Sequence, residues 1–309
     1  MMPLVRRRSL KLLLLVLALP ALVLLLSLSW HNSRIPAPVK KKTDVSDLKL
    51  NSSEKSAGQS QTPQLVQKTD QAPHGDLKKT ARPISRDVDD PLEIQAAQNR
   101  VTMVNEQLAG RDITDKAVLK AMREVPRHLF VPEGLQDLAY TDRPLPIGLG
   151  QTISQPYIVA LMTQLGQLDK SARVLDVGTG SGYQAAVLAK LVKQVYSIEI
   201  LCPLADEARQ RLERLGYDNV EVRCGDGHLG WFDHAPFDVI IVAAASEHVP
   251  QSLIDQLAPG GRLVIPVGKY FQELIVIEKQ SDGSVKRRLI APVAFVPMTG
   301  GKKAGGKVP

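Results

Sequence analysis

Hydrophobic and polar positions fall into three regimes along the chain. Leu12 to Leu28 is apolar apart from Pro20 and Ser27, and Arg6, Arg7 and Arg8 precede it. A basic start before such a run marks residues 1–30 as a signal peptide or a membrane anchor. The run is long for the first and short for the second. Ser27-Leu28-Ser29 would serve as a small-x-small cleavage site, and a mis-assigned start, with Met103 opening a shorter protein, is a third reading. Residues 31–90 are rich in Lys, Ser, Gln, Pro and Asp, with sparse apolar positions and no period. That composition predicts a disordered linker. From Pro91 a period appears. Ile94, Ala97, Val101, Val104 and Leu108 recur at three and four, predicting an amphipathic helix ended by Gly110. Thr114 is placed to cap a second helix carrying Val118, Leu119 and Met122, which Pro126 stops. Arg127 to Pro132 reads as a short extended piece.

Beyond Ser171 short apolar runs alternate with helical patterns. Strands are expected at Val174–Val177, Gln194–Ile198, Val220–Cys224, Phe237–Ala243 and Arg262–Pro266, the last after a turn at Pro259-Gly260-Gly261. Helices are expected at Gln184–Leu191, Pro203–Leu215 and Val249–Leu257. Glu273–Lys279 and Val285–Ile290 read as an antiparallel pair joined through Asp282-Gly283. The succession predicts an α/β fold: a doubly wound, mostly parallel, Rossmann-like sheet with helices on both faces and an antiparallel C-terminal strand pair. The organisation expected is a leader at 1–30, a linker at 31–90, one folded domain at 91–300 and a flexible tail at 301–309.

Ligands of such sheets bind beyond the carboxyl ends of the strands. There the chain reads Val174-Leu175-Asp176-Val177-Gly178-Thr179-Gly180-Ser181-Gly182-Tyr183. Three glycines at alternate positions let the backbone approach a ligand closely. The spacing is not that of a dinucleotide fingerprint, because Tyr183 stands at the third glycine position. It is not a phosphate loop either, since no Gly-Lys-Ser/Thr follows. Glu199 ends the second strand, 17 positions past Gly182. A carboxylate there can accept both hydroxyls of an adenosine ribose; the plainer alternative is a solvated strand end.

Charge removes other classes. Residues 1–90 hold 15 Lys/Arg against 8 Asp/Glu, and residues 91–309 hold 24 of each. The folded part carries no basic footprint, which argues against a nucleic-acid partner. Cys202 and Cys224 make no disulfide framework or metal spacing, so each is expected to be a packed or half-exposed residue, and no metal is expected. His128 and His248 are discounted as general bases.

The pattern D-V-G-x-G-x-G resembles the first motif of class I methyltransferases that use S-adenosylmethionine. Two further segments narrow the likeness: Val125-Pro126-Arg127-His128-Leu129-Phe130-Val131-Pro132, and the run Leu145 to Pro156 containing Gly150-Gln151-Thr152-Ile153-Ser154-Gln155-Pro156. With Pro259 to Gly268 they resemble the protein-L-isoaspartate O-methyltransferase family over roughly residues 95–297, leaving the first 90 residues unaccounted for. The resemblance implies that Ser154 is the active-site serine and that Thr152 to Gln155 line both cofactor and substrate. It implies that Asp176, Gly178, Thr179, Gly180, Ser181, Gly182, Glu199, Asp226 and Gly227 bind S-adenosylmethionine. Asp226 would contact the adenine amino group, and Asp176 would orient the loop or receive the cofactor's amine. Without the resemblance, Asp226-Gly227 is an ordinary turn and Ser154 a helix N-cap before Pro156. The implied acceptor is the α-carboxylate of an L-isoaspartyl residue in a damaged protein, whose ester cyclises and offers the normal linkage another chance. Two rivals remain: a methyltransferase with a small-molecule acceptor, and a non-catalytic binding module. Because the methyl donor is made in the cytoplasm, a cytoplasmic protein is expected. The arginines before the apolar run point instead to membrane contact through residues 1–30, with an anchored or periplasmic body.

Overall fold

Val174, Leu175 and Val177 are buried, as expected of a central parallel strand covered on both faces. The computed structural model describes residues 91–301. The leader, the linker at 31–90 and tail residues 302–309 lie outside the described residues. In chain order the strands are β1 (Leu145–Gly148), β2 (Gln151–Ile153), β3 (Arg173–Val177), β4 (Gln194–Glu199), β5 (Val220–Cys224), β6 (Phe237–Val242), β7 (Leu257–Val267), β8 (Gln272–Lys279) and β9 (Val285–Val293). β1 and β2 form a separate antiparallel hairpin, and the other seven make one sheet in the order β5-β4-β3-β6-β7-β8-β9. Strands β5 to β7 of that order are parallel neighbours; β8 and β9 are antiparallel, as expected.

Helices α1 (Pro91–Thr102), α2 (Lys116–Glu124), α3 (Pro156–Gly166), α4 (Tyr183–Ala189), α5 (Cys202–Arg214) and α6 (Gln251–Asp255) cover the sheet. The period of two divides its side chains between two apolar cores. Val239 and Ile241 of β6 belong to the core that holds Met122, Leu188 and Leu212, whereas Ile240 and Val242 belong to the core that holds Trp231 and Leu253.

Several local expectations give way to tertiary packing. The face of α1 is turned: Ile94 and Val101 are each 46% exposed, while Ala96, Arg100, Met103, Val104 and Leu108 are buried. Arg100 points inward, donating to the Tyr140 hydroxyl at 3.1 Å, and a π-helical turn from Met103 to Ala109 shifts the register. The cap of α2 is Asp115 rather than Thr114, its carboxylate accepting from the Ala117 and Val118 N–H groups. Arg127–Phe130 is a 3-10 turn, not an extended piece. It places the Arg127 guanidinium 4.8 Å from the Tyr183 ring centre and packs Phe130 edge-on to that ring. Pro259-Gly260-Gly261 lies inside β7 as a bulge: Phe237 pairs with Leu257 and Val239 with Arg262. A Cβ on Gly261 would meet the Ala258 carbonyl oxygen at 2.8 Å. Helix α6 covers only five residues of the longer helix expected.

Candidate active site

The direction of strand succession reverses between β3 and β6, and a cavity opens beyond their carboxyl ends. Its floor is the glycine loop. Gly178, Gly180 and Gly182 have φ of 93°, 53° and 90°, values that residues with a Cβ rarely adopt. The Gly178 and Thr179 N–H groups donate to the Ile198 carbonyl at 2.8 and 3.2 Å, which ties the loop to β4.

Glu199 closes the floor. It is 6% exposed, and its two oxygens accept from Gly180 N–H at 2.9 Å and Leu201 N–H at 3.1 Å. The carboxylate therefore fixes the loop while lining the cavity, with lone pairs left for a bound ligand. Asp176 lies beneath. It is fully buried and does not line the cavity. Its Oδ2 accepts from Ser197 Oγ at 2.7 Å, and Ser197 Oγ lies 2.6 Å from Thr179 Oγ1. Of the two roles weighed for Asp176, this relay favours orienting the loop. Burial, helped by the nearby Glu199 charge and opposed by the Ser197 bond, lifts the Asp176 pKa to about 7.

Of the predicted cofactor residues, Thr152, Ser154, Gly178, Thr179, Gly180, Ser181, Glu199 and Gly227 line the cavity. Gly182 stands behind it as the N-cap of α4. Asp226 is not among the residues lining the cavity; one oxygen accepts from the His228 N–H and the other from the Gly301 N–H, at 2.9 and 2.7 Å. The wall there is Gly227, where an added Cβ would lie 2.4 Å from Val177 Cγ1.

Ser154 follows the β1–β2 hairpin. Gln155 is the N-cap of α3 and no side chain caps that helix, so Ser154 is not a cap. It lies between two cavities. One is the cavity of the glycine loop; the other is walled by Pro144, Gln155, Ile158 and residues 292–296. Thr152, Ser154, Ala243 and Val296 line both. His128 is held away from both, its Nδ1 2.7 Å from the Tyr140 hydroxyl and its Nε2 3.2 Å from Glu93 Oε2. Among the described residues no group of three or more His, Cys, Asp or Glu is placed to hold a metal.

Residues 98–303 match the family model for protein-L-isoaspartate(D-aspartate) O-methyltransferase. The chain belongs to the protein-L-isoaspartate(D-aspartate) O-methyltransferase family. A protein-L-isoaspartate O-methyltransferase 2 of Polaromonas is 59% identical over 193 residues, 62% of this chain and 92% of that one. A protein-L-isoaspartate O-methyltransferase of Synechococcus is 55% identical over 220 residues, 69% of this chain and 88% of the relative. A Plasmodium falciparum structure of the same name, in complex with S-adenosyl-L-homocysteine, aligns with a TM-score of 0.58 at 27% identity, covering 65% of this chain and 98% of that one.

Two parts of this family member's site were missing from the sequence expectations. Val296 to Thr299 form a wall of the cavity, held where Ala245 N–H donates to the Val296 carbonyl and Met298 N–H to the Ala245 carbonyl, at 2.9 and 2.7 Å. Cys202 and Cys224, expected as unpaired residues, are joined in a disulfide at the edge of the site. Parallel pairing of β4 with β5 sets Cys224 beside Glu199, three residues before Cys202. That contact is invisible in a separation of 22 residues.

Proposed function

We propose that this protein transfers a methyl group from S-adenosylmethionine to the α-carboxylate of L-isoaspartyl residues in damaged proteins, as a repair methyltransferase. The observation that carries the reading is the position of Ser154 on the wall shared by the two cavities. The glycine loop, Glu199 and Gly227 suit an adenosine and amino-acid moiety on one side. The cleft from Pro144 to Phe295 suits an extended peptide on the other. When bound, S-adenosylmethionine supplies an electrophilic methyl group.

An isoaspartyl carboxylate is ionised at neutral pH, so the chain need not provide a base. Its task is to hold a weak nucleophile in line in a space that excludes water. Ser154 fits that task as a donor orienting the carboxylate, and Thr152 flanks it. Glu199 accepts the ribose hydroxyls, Gly178 to Gly182 let the cofactor lie against the backbone, and Asp176 fixes Thr179 through Ser197. Asp226 holds Gly227 and the 298–301 segment against the adenine side. Residues 91–300 are the methyltransferase domain, 1–30 a leader or anchor and 31–90 a linker; Gly301, expected to open the tail, is tied to the domain by its N–H bond to Asp226.

Labelled methyl transfer to an L-isoaspartyl peptide and to its normal aspartyl twin tests the reading. Label in the isoaspartyl peptide alone is expected; equal labelling, or none, overturns it.

Location is a second matter. Among the described residues no helix is long and apolar enough to cross a membrane. Supply of the methyl donor favours the cytoplasm. The Cys202–Cys224 disulfide favours the alternative, a body beyond the membrane, because disulfides persist in oxidising compartments. Cell fractionation with N-terminal sequencing of the mature chain separates the two.

A further inference from the structure

Cys224 is the last residue of β5, and its Cα partner across the sheet is Glu199. Cys202 opens α5. The bond between them, with Cα atoms 4.9 Å apart, joins the two strand ends whose next residues form one side of the cavity. Ile200 lines it after β4, and Gly227 lines it after β5. The same two ends are otherwise linked by the Gly225 N–H donating to the Glu199 carbonyl at 2.9 Å. Leu201, beside Cys202, donates its N–H to the Glu199 carboxylate at 3.1 Å. Both cysteines are exposed, so solvent-borne thiols and disulfides can reach the bond. Neither sulfur takes part in methyl transfer.

We propose that Cys202 and Cys224 are a reversible thiol-oxidation site that sets cofactor affinity, with the disulfide form binding tightly and the dithiol form weakly. The inference rests on reading the cavity as the S-adenosylmethionine site. The bond restrains Ile200 and the Gly225–Gly227 turn before the ligand arrives, so less ordering remains to be done on binding. On oxidation the two Sγ–H groups lose two protons and two electrons, and one S–S bond forms. A disulfide of the oxidoreductase or glutathione class accepts them and is reduced to two thiols. On reduction a thiolate attacks the exposed S–S bond and the exchange runs backwards.

Linkage gives the proposal a second signature. If oxidation tightens binding about tenfold, bound ligand must favour the disulfide by the same factor. For a two-electron couple that is a shift of about 30 mV.

The test uses the full chain and S-adenosylhomocysteine. Calorimetry on the oxidised chain, the chain reduced with a phosphine, and a Cys202→Ser/Cys224→Ser double variant should give a Kd about tenfold weaker for the last two. Equilibration in glutathione buffers, read by thiol alkylation and mass spectrometry, should show the disulfide midpoint moving by the same factor when ligand is present. A Kd within about twofold in all forms, with a midpoint that ignores the ligand, overturns the proposal. Should the double variant fail to fold, the glutathione titration of the wild-type chain decides alone. An oxidised chain that binds no S-adenosylhomocysteine at all removes the cofactor reading, and this inference with it.

Discussion

Replacing Glu199 with alanine strikes the cavity where one side chain serves both fold and ligand. The carboxylate is 6% exposed and takes two backbone N–H groups, from Gly180 at 2.9 Å and Leu201 at 3.1 Å. A hydrogen bond to a charged acceptor is worth about 1.5–3 kcal/mol net, and an orphaned buried donor costs about 1–3 kcal/mol. Water can enter the space left by the missing side chain, so part of this loss is recovered at the two N–H groups. On the proposed ribose assignment the cofactor loses more, because no other carboxylate stands among the residues lining the cavity. The expected loss in S-adenosylhomocysteine affinity is about 1–3 kcal/mol, or roughly 5–150-fold in Kd. Calorimetry measures it, with thermal melting of the ligand-free variant run beside it. Glu199→Gln should fall between, since its amide can accept one of the two N–H groups but must turn an NH2 toward the other. A Kd within about twofold of wild type would refute the ribose assignment. If the melt fell while the Kd held, Glu199 would be only the residue that fixes Gly180.

Three other outcomes follow from the same geometry. Ser154→Ala should slow methyl transfer to an isoaspartyl peptide while S-adenosylhomocysteine binds as before, because no helix cap is lost; equal losses in rate and binding would contradict the orienting role. Asp176, with its pKa lifted to about 7 from 3.8, binds more protons folded than unfolded between those values. Its contribution to stability is therefore lost as pH rises from about 4 to about 7, and the difference in denaturation midpoint between wild type and Asp176→Asn should shift in favour of the variant over that window. Gly227→Ala would place a Cβ 2.4 Å from Val177 Cγ1 and 3.1 Å from Met298 Cε, so it should destabilise the chain by about 1–3 kcal/mol and weaken ligand binding; an unaltered melt would contradict the close packing of Gly227 on Val177.

The sequence announced the parts of the site that depend on local chain chemistry. Val174 to Gly182 reads as strand, loop and helix start because apolar β-branched residues, then glycines at forced φ, leave little else for the segment to be. Glu199 was legible for the same reason, as the carboxylate ending the next strand. The face of α1 was not, because Arg100 goes inside to reach Tyr140, 40 residues away, and outweighs the apolar Ile94 and Val101. The bulge in β7 was misplaced as a turn because Pro259-Gly260-Gly261 has the same composition in either setting; only pairing of Val239 with Arg262 decides it.

What stayed hidden is what sheet register creates. Cys202 and Cys224 meet because α5 is long enough, and β5 starts late enough, to bring Cys224 level with Glu199. A register one residue off would turn Cys224 to the opposite face of the sheet and leave both sulfurs unpaired. The wall formed by Val296 to Thr299 has the same origin, since it stands where residues after β9 pair with Ala245 after β6. The disulfide lies beside the proposed cofactor cavity alone, whereas the segment after β9 reaches both cavities through Val296, and Ser154 depends on a hairpin and helix adjacent to it in sequence. It follows that changes in β5 should alter ligand affinity more readily than the orientation of the proposed acceptor carboxylate, whereas changes in β9, whose Pro292 and Val293 line the second cavity, should alter both.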